Sequence, residues 1–142
     1  MAASLISVRA ADWNDDRAGL RAVREQVFVH EQAVPIELEW DELDPLCQHV
    51  VAEAAGQAIG TGRLLPDGHI GRMAVLESWR GRGVGSAVLD ALLQLARDRG
   101  IGRVRLNAQS RAVAFYRRHG FTAEGDEFIE AGITHRSMWR DV

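Results

Sequence analysis

The chain has 142 residues, 46% hydrophobic and 26% charged, a balance that predicts one globular domain spanning 1–142. All 17 basic residues are arginine, and the missing lysines exclude a Walker-type phosphate lysine, a Schiff base and internal lysine acetylation. A formal charge of −3 argues against a nucleic-acid binder, the single Cys47 excludes an intrachain disulfide, and no basic leader or long apolar run is present, so a cytoplasmic protein without a membrane span is expected.

Leu5 to Ala10 alternate as a first strand. Asn14-Asp15-Asp16 then read as a helix start, and Leu20, Val23, Val27 and Phe28 form one apolar stripe of a helix reaching about His30. From Glu31 to Leu46 the acidic residues with Pro35 and Pro45 predict an irregular excursion. His49–Glu53 and Ala58–Leu65, split by Ala54-Ala55-Gly56-Gln57, predict a hairpin, and His69–Val75 a further strand.

Val84, Val88, Leu92 and Leu95, joined by Leu89, Leu93 and Ala96, mark a buried helix that stops at Gly100. Val104, Leu106 and Ala108 alternate as a strand, and Ser110 is expected to cap a short helix through Phe115 and Tyr116 that stops at Gly120. Strands near Phe121–Ala123 and Ile133–Trp139 complete the chain.

Between a strand and the longest helix lies Arg80-Gly81-Arg82-Gly83-Val84-Gly85. Glycines there let backbone N–H groups approach an anion at the positive end of the helix. A dinucleotide fingerprint is excluded, because it requires Gly or Ala at Val88 and an acid where the following strand has Arg105; a P-loop is excluded for want of lysine. What remains is an anion-binding turn or a plain glycine-rich helix entry with surface arginines.

Arg80-x-x-Gly83-x-Gly85 after Gly71-Arg72-Met73-Ala74-Val75, followed by Ala114-Phe115-Tyr116-x-x-x-Gly120-Phe121, resembles the GNAT N-acetyltransferase superfamily over nearly the whole chain. Val27-Phe28-Val29-x-Glu31-Gln32-x-Val34-Pro35 and Gly132-Ile133-x-His135-x-x-Met138 are similar to its ElaA-like branch. The resemblance implies an α/β fold of the α+β type: a mixed, mostly antiparallel sheet of about six or seven strands, splayed near Val75 and flanked by about three or four helices. It also implies acetyl-coenzyme A as co-substrate, a small-molecule primary amine as acceptor, direct attack by that amine, no metal, and a homodimer by analogy. A peptide or protein acceptor and a non-catalytic acyl-coenzyme A-binding module are the alternatives.

By the same resemblance, Met73, Ala74 and Val75 pair with the pantetheine arm, and one of their N–H groups polarises the thioester carbonyl. Amides of Gly81, Arg82, Gly83, Val84, Gly85 and Ser86 surround the pyrophosphate, with Arg80 and Arg82 adding charge. Asn107 hydrogen-bonds the cofactor, and Tyr116, the only tyrosine, protonates the departing thiolate.

A base is also required. Glu31, Glu37, Glu39, Asp41, Glu42 and Asp44 crowd the segment expected to shape the acceptor site, where they would attract a cationic amine. Glu31 and Glu39 fit the branch's pattern. Of His49, His119 and His135, His135 is the one to test. Cys47-Gln48-His49 is too sparse for zinc. Trp13, Trp40, Trp79 and Trp139 serve equally as core or interface aromatics.

Overall fold

The computed structural model describes residues 6–39 and 41–142, so the expectations on Leu5 and Trp40 lie outside the described residues. Among the described residues, seven strands form two sheets. In the first, β1 (Ile6–Ala11), β2 (Gln48–Ala54), β3 (Gln57–Leu64) and β4 (Ile70–Val75) run antiparallel in chain order. The second comprises β5 (Arg103–Gln109), β6 (Thr122–Glu130) and β7 (Ile133–Asp141), also antiparallel, in the order β5-β7-β6. A parallel bridge between His69 and Arg105 joins the two sheets, and the Arg105 N–H donates to Gly68 O at 3.0 Å. Among the described residues, β4 and β5 share no further bridge, so the two strands part beyond this point.

The helices cover both faces. α3 (Val84–Asp98) buries Val84, Val88, Leu89, Leu92, Leu93 and Ala96 against Val50 and Ala52 of β2 and Val104, Leu106 and Ala108 of β5. Truncating one of these leucines to alanine costs about 2–5 kcal/mol. α4 (Val113–Arg118) follows β5. Ser110 does not cap it, since its hydroxyl donates to Glu127 Oε2 at 2.7 Å and a 3-10 turn, Ser110–Ala112, precedes the helix.

On the opposite face, α1 (Trp13–Arg24) begins at Asp12, whose carboxylate accepts from the N–H groups of Asn14 and Asp15. The expected continuation to His30 is not a regular helix. Its last part, Glu25–Glu31, widens into a π-helical stretch closed by Gln32 N–H donating to Val27 O at 3.0 Å. This register keeps Val23 and Val27 together against Ala74 of β4.

The segment expected to be irregular contains α2 (Ile36–Glu39) and a 3-10 turn at Asp44–Leu46. Pro35 needs no N–H at the helix entry, and its carbonyl accepts from Leu38 and Glu39. Among the described residues, no helix is long and apolar enough to cross a membrane.

Candidate active site

The site begins with an irregularity in β4. Thr61 pairs with Ala74 and Arg63 with Gly71, so three steps on β4 oppose two on β3. Arg72 absorbs the extra residue at φ 49°. The bulge sits where β4 and β5 part, and it redirects Met73 toward Tyr116, whose hydroxyl lies 3.5 Å from the Met73 sulfur. Past the bulge, Ala74 packs on the α1 side and Val75 on the α3 side.

Beyond β4 the chain makes a 3-10 turn, Glu77–Trp79, and enters the glycine-rich loop. Gly81 and Gly83 take φ values of 74° and 81°, and a Cβ at either position would meet nothing within 4 Å. Glycine is required there by backbone conformation, and the open flank leaves room for a ligand. The helical ladder of α3 starts with Ala87 N–H donating to Gly83 O at 3.0 Å, which leaves the amides of Val84, Gly85 and Ser86 outside the helical bonds. This donor-rich, unobstructed turn fits a pyrophosphate.

The two arginines of the loop differ. Arg82 lies over the Trp79 ring, 4.9 Å from its centroid. Arg80 turns back along β4: its Nε donates to Val75 O at 3.0 Å, and its terminal nitrogens donate to Glu31 Oε2 and Oε1 at 2.6 and 2.7 Å. The expectation that Arg80 points at phosphate is therefore replaced, in this geometry, by an ion pair that ties the loop to the end of the π-helical stretch. Bonded to that guanidinium, the Glu31 carboxyl is held below its ordinary range.

Tyr116 is wedged edge-on against Phe115 and Phe121, with ring centroids at 5.1 and 5.7 Å. Burial pushes its hydroxyl up to about 12, so it remains a proton donor across the neutral range. Phe115 also contacts His119 at 4.9 Å, and its ring sits 3.5 Å from where a Gly85 Cβ would stand. His119 Nε2 is 3.0 Å from Ser86 Oγ, which brings the end of α4 to the first turn of α3. Nothing local to His119 predicts a link to this loop; its place directly before Gly120 of the C-terminal motif is the available signal.

Of the six acids in residues 31–46, Glu31, Glu39, Asp41 and Asp44 are paired with arginines. Glu39 is 2% exposed and is gripped by Arg24 Nε and Arg72 Nε. Asp44, also 2% exposed, accepts from Arg24 at 2.8 and 3.2 Å and from Arg63 at 2.8 Å. Asp41 accepts two bonds from Arg63 and one from Arg72. Burial alone would raise the Asp44 carboxyl, but the two arginines hold it below its usual value, and Arg63 lowers Asp41 to about 2. Glu39 is thus no base facing an acceptor, and the anticipated attraction for cations is largely cancelled within the protein. Glu37 and Glu42 are exposed.

His135 and Asn107 share the face of the second sheet turned away from α3, because Leu106, Ala108 and Met138 occupy the face toward it. Asn107 is exposed and accepts from Ser137 Oγ at 3.3 Å. His135 is buried, stacked on Phe128, with Nδ1 2.6 Å from Ile133 O and Nε2 3.8 Å from Glu130 Oε2. It pairs across strands with Gln109, whose Nε2 donates to Gln32 Oε1 at 2.8 Å. The segment after α1 therefore reaches both walls of the opening: Glu31 through Arg80 beside β4, and Gln32 through Gln109 on β5. His49 is elsewhere, buried under Trp13 at 4.8 Å, with Nε2 2.8 Å from Asp44 O. Among the described residues no group of three His, Cys, Asp or Glu side chains converges as a metal site.

Residues 10–141 match the acetyltransferase (GNAT) domain family. The uncharacterized N-acetyltransferase YjcF of Bacillus subtilis (strain 168) is 43% identical over 123 residues, 84% of this chain and 88% of that protein. An acyl-CoA N-acyltransferase from Pseudomonas aeruginosa superposes with a TM-score of 0.86 at 31% identity, covering 96% of this chain and 99% of that one. Escherichia coli ElaA superposes with the same TM-score at 25% identity, again over 96% and 99% of the two chains.

Proposed function

The chain belongs to the GNAT acetyltransferase family, and from that premise we propose that it moves an acetyl group from acetyl-coenzyme A to the primary amine of a small molecule by direct attack. The observation that carries this reading is the parting of β4 from β5 beside the glycine loop, with the bulge at Arg72 and the open amides of Val84–Ser86 at one end of the same opening.

Backbone groups of Met73 to Val75 line the pantetheine arm, and an N–H there polarises the thioester carbonyl. Amides from Gly81 to Ser86 hold the pyrophosphate. As the amine nitrogen bonds to the carbonyl carbon, the carbon–sulfur bond breaks and the Tyr116 hydroxyl gives its proton to the sulfur. Its proximity to Met73 supports that role, and burial keeps the hydroxyl protonated until the thiolate departs.

The surplus proton of the amine leaves on the α1 side of the sheet, where His135 is the favoured acceptor. Glu31 and Glu39 are both bound to arginines, and Glu31 serves in this reading as a positioning residue for Arg80 and the segment after it. A cytoplasmic location accords with acetyl-coenzyme A as co-substrate.

Calorimetric titration of acetyl-coenzyme A into wild type and Gly83→Glu tests the loop. Binding by wild type alone supports the proposal. Binding by neither overturns it, and binding by both misplaces the loop. Release of free thiol on addition of a primary amine then tests transfer.

A further inference from the structure

Arg72 stands in the left-handed region at φ 49°, a conformation that is costly for a residue with a Cβ and free for glycine. Gly71 is its direct neighbour, yet the positive φ falls on the arginine. Strain of this kind persists only where the surroundings hold the residue in place, and it is found most often beside reacting groups.

The side chain is what holds Arg72. Its Nε lies 3.3 Å from Glu39 Oε2, its Nη2 donates to Asp41 Oδ2 at 3.2 Å, and the same nitrogen lies 3.4 and 3.3 Å from the carbonyl oxygens of Leu38 and Glu39. Each carboxylate is gripped a second time from another element. Arg24 of α1 binds Glu39, and Arg63 of β3, the register partner of Gly71, binds Asp41. The guanidinium is thus clamped through α1, α2 and β3 together.

The next peptide is what Arg72 aims. Leu76 N–H donates to Ile59 O at 2.9 Å beside the Gly60–Val75 pair, so the N–H and C=O of Val75 face away from β3, toward the parting from β5. Arg80 Nε reaches that carbonyl from the open side. Alternation along the strand returns Ala74 to β3 and turns the Met73 N–H outward again. That N–H lies in the planar peptide between Arg72 and Met73, so its direction follows the backbone angles of Arg72.

We propose that Arg72 is a positioning residue for acetyl transfer: its clamped side chain holds the bulge in the conformation that aims the Met73 N–H at the thioester carbonyl. The inference rests on the acetyl-transfer reading above, and it adds which amide polarises the carbonyl and what fixes its aim. A donor serves developing negative charge best when it is already oriented before the reaction, since no reorganisation is then needed. Glu39 and Asp41 act on the oxyanion through Arg72.

The test needs no acceptor amine. Acetyl-coenzyme A labelled with carbon-13 at the thioester carbonyl is bound to wild type, Arg72→Gly and Asp41→Asn. Infrared difference spectroscopy reads the carbonyl stretch, and calorimetry gives the affinity. Glycine accepts the positive φ and removes the clamp; Asp41→Asn loosens the clamp and leaves β4 untouched. Melting curves check that both variants fold. Wild type is expected to lower the stretch relative to free acetyl-coenzyme A. Arg72→Gly should lose about half of that displacement or more while its affinity changes by less than about tenfold, because the arm and the pyrophosphate still bind. Asp41→Asn should lose less, and should add nothing in the Arg72→Gly background, as for two groups acting through one contact.

A full displacement in folded Arg72→Gly overturns the proposal; should that variant fail to fold, a full displacement in Asp41→Asn does the same. Binding by wild type with no displacement overturns the aimed donor and leaves acetyl transfer standing. No binding by wild type overturns the transfer reading, and this inference with it.

Discussion

Glu31 accepts hydrogen bonds from both terminal guanidinium nitrogens of Arg80, at 2.6 and 2.7 Å, across 49 positions of sequence. The pair joins the end of the first helical unit to the glycine loop, and Arg80 Nε adds a third anchor on Val75 O. Because Arg80 holds the Glu31 carboxyl below its ordinary value, Glu31 stays ionised throughout the neutral and basic range. Glu31→Gln is therefore expected to leave the shape of the kcat/KM profile between about pH 6 and 9 unchanged while raising the acceptor KM. Loss of a titrating limb in the variant would make Glu31 the base instead.

Removal of the Tyr116 hydroxyl separates chemistry from binding. Tyr116→Phe keeps the ring contacts with Phe115 and Phe121, so acetyl-coenzyme A affinity and melting temperature should change little. Turnover should fall by about 10²-fold or more, as for loss of a positioned acid. Stopped-assay rates beside calorimetry measure both, and a fall of less than threefold would remove Tyr116 from the proton path.

His135→Gln should lower turnover by about 10²-fold at neutral pH if the ring accepts the amine's proton, with recovery as pH rises and more amine is already neutral. A full pH profile is the measurement. A variant indistinguishable from wild type would mean that solvent takes the proton.

The buried ion pairs around Asp44 should dominate stability. Asp44→Ala leaves the guanidinium groups of Arg24 and Arg63 without one carboxylate in surroundings that are almost fully buried, at a cost of about 3–5 kcal/mol. For a domain of this size that is a drop in melting temperature of about 10 °C or more. Asp41, Asp44 and Glu31 all have depressed folded-state pKa values, so their stabilisation is full above the ordinary carboxylate range. It is lost as pH falls through the folded values, from about 4 toward about 2 for Asp41. Thermal melts across that window check the sign.

Cys47 is buried, its Sγ 3.2 Å from Leu43 O, and burial raises its thiol pKa. The native chain should react slowly with a disulfide reagent and expose one thiol on unfolding. Thiol release by the enzyme can thus be read over a low protein background. Rapid labelling of native protein would contradict the packing at Leu43.

Much of this architecture was legible from periodicity. The apolar stripe of Val84 to Ala96 and the alternation of Val104 to Ala108 needed no tertiary information, because each buries one face. The glycine loop was legible because Gly81 and Gly83 occupy a backbone region that other residues avoid. The segment from Glu31 to Leu46 was not. Its acids looked free in sequence because Arg24, Arg63 and Arg72 come from three other elements, and charge neutralisation at that range leaves no local pattern. Nor does a single-residue bulge at Arg72, which depends on the register with β3. Asn107 was correctly placed on the face away from Leu106, where it accepts a hydrogen bond from Ser137 Oγ.

The parting of β4 and β5 carries a cost of its own. Two strands that stop pairing after a single bridge present facing rows of backbone donors and acceptors, the kind of edge that an extended segment of another chain can add to. The extended pantetheine arm would cover the β4 edge much as an added strand does. Colloidal behaviour and ligand occupancy are then linked: the chain should keep longest in solution when its own co-substrate is supplied, and precipitation during storage would report on the opening as directly as any rate.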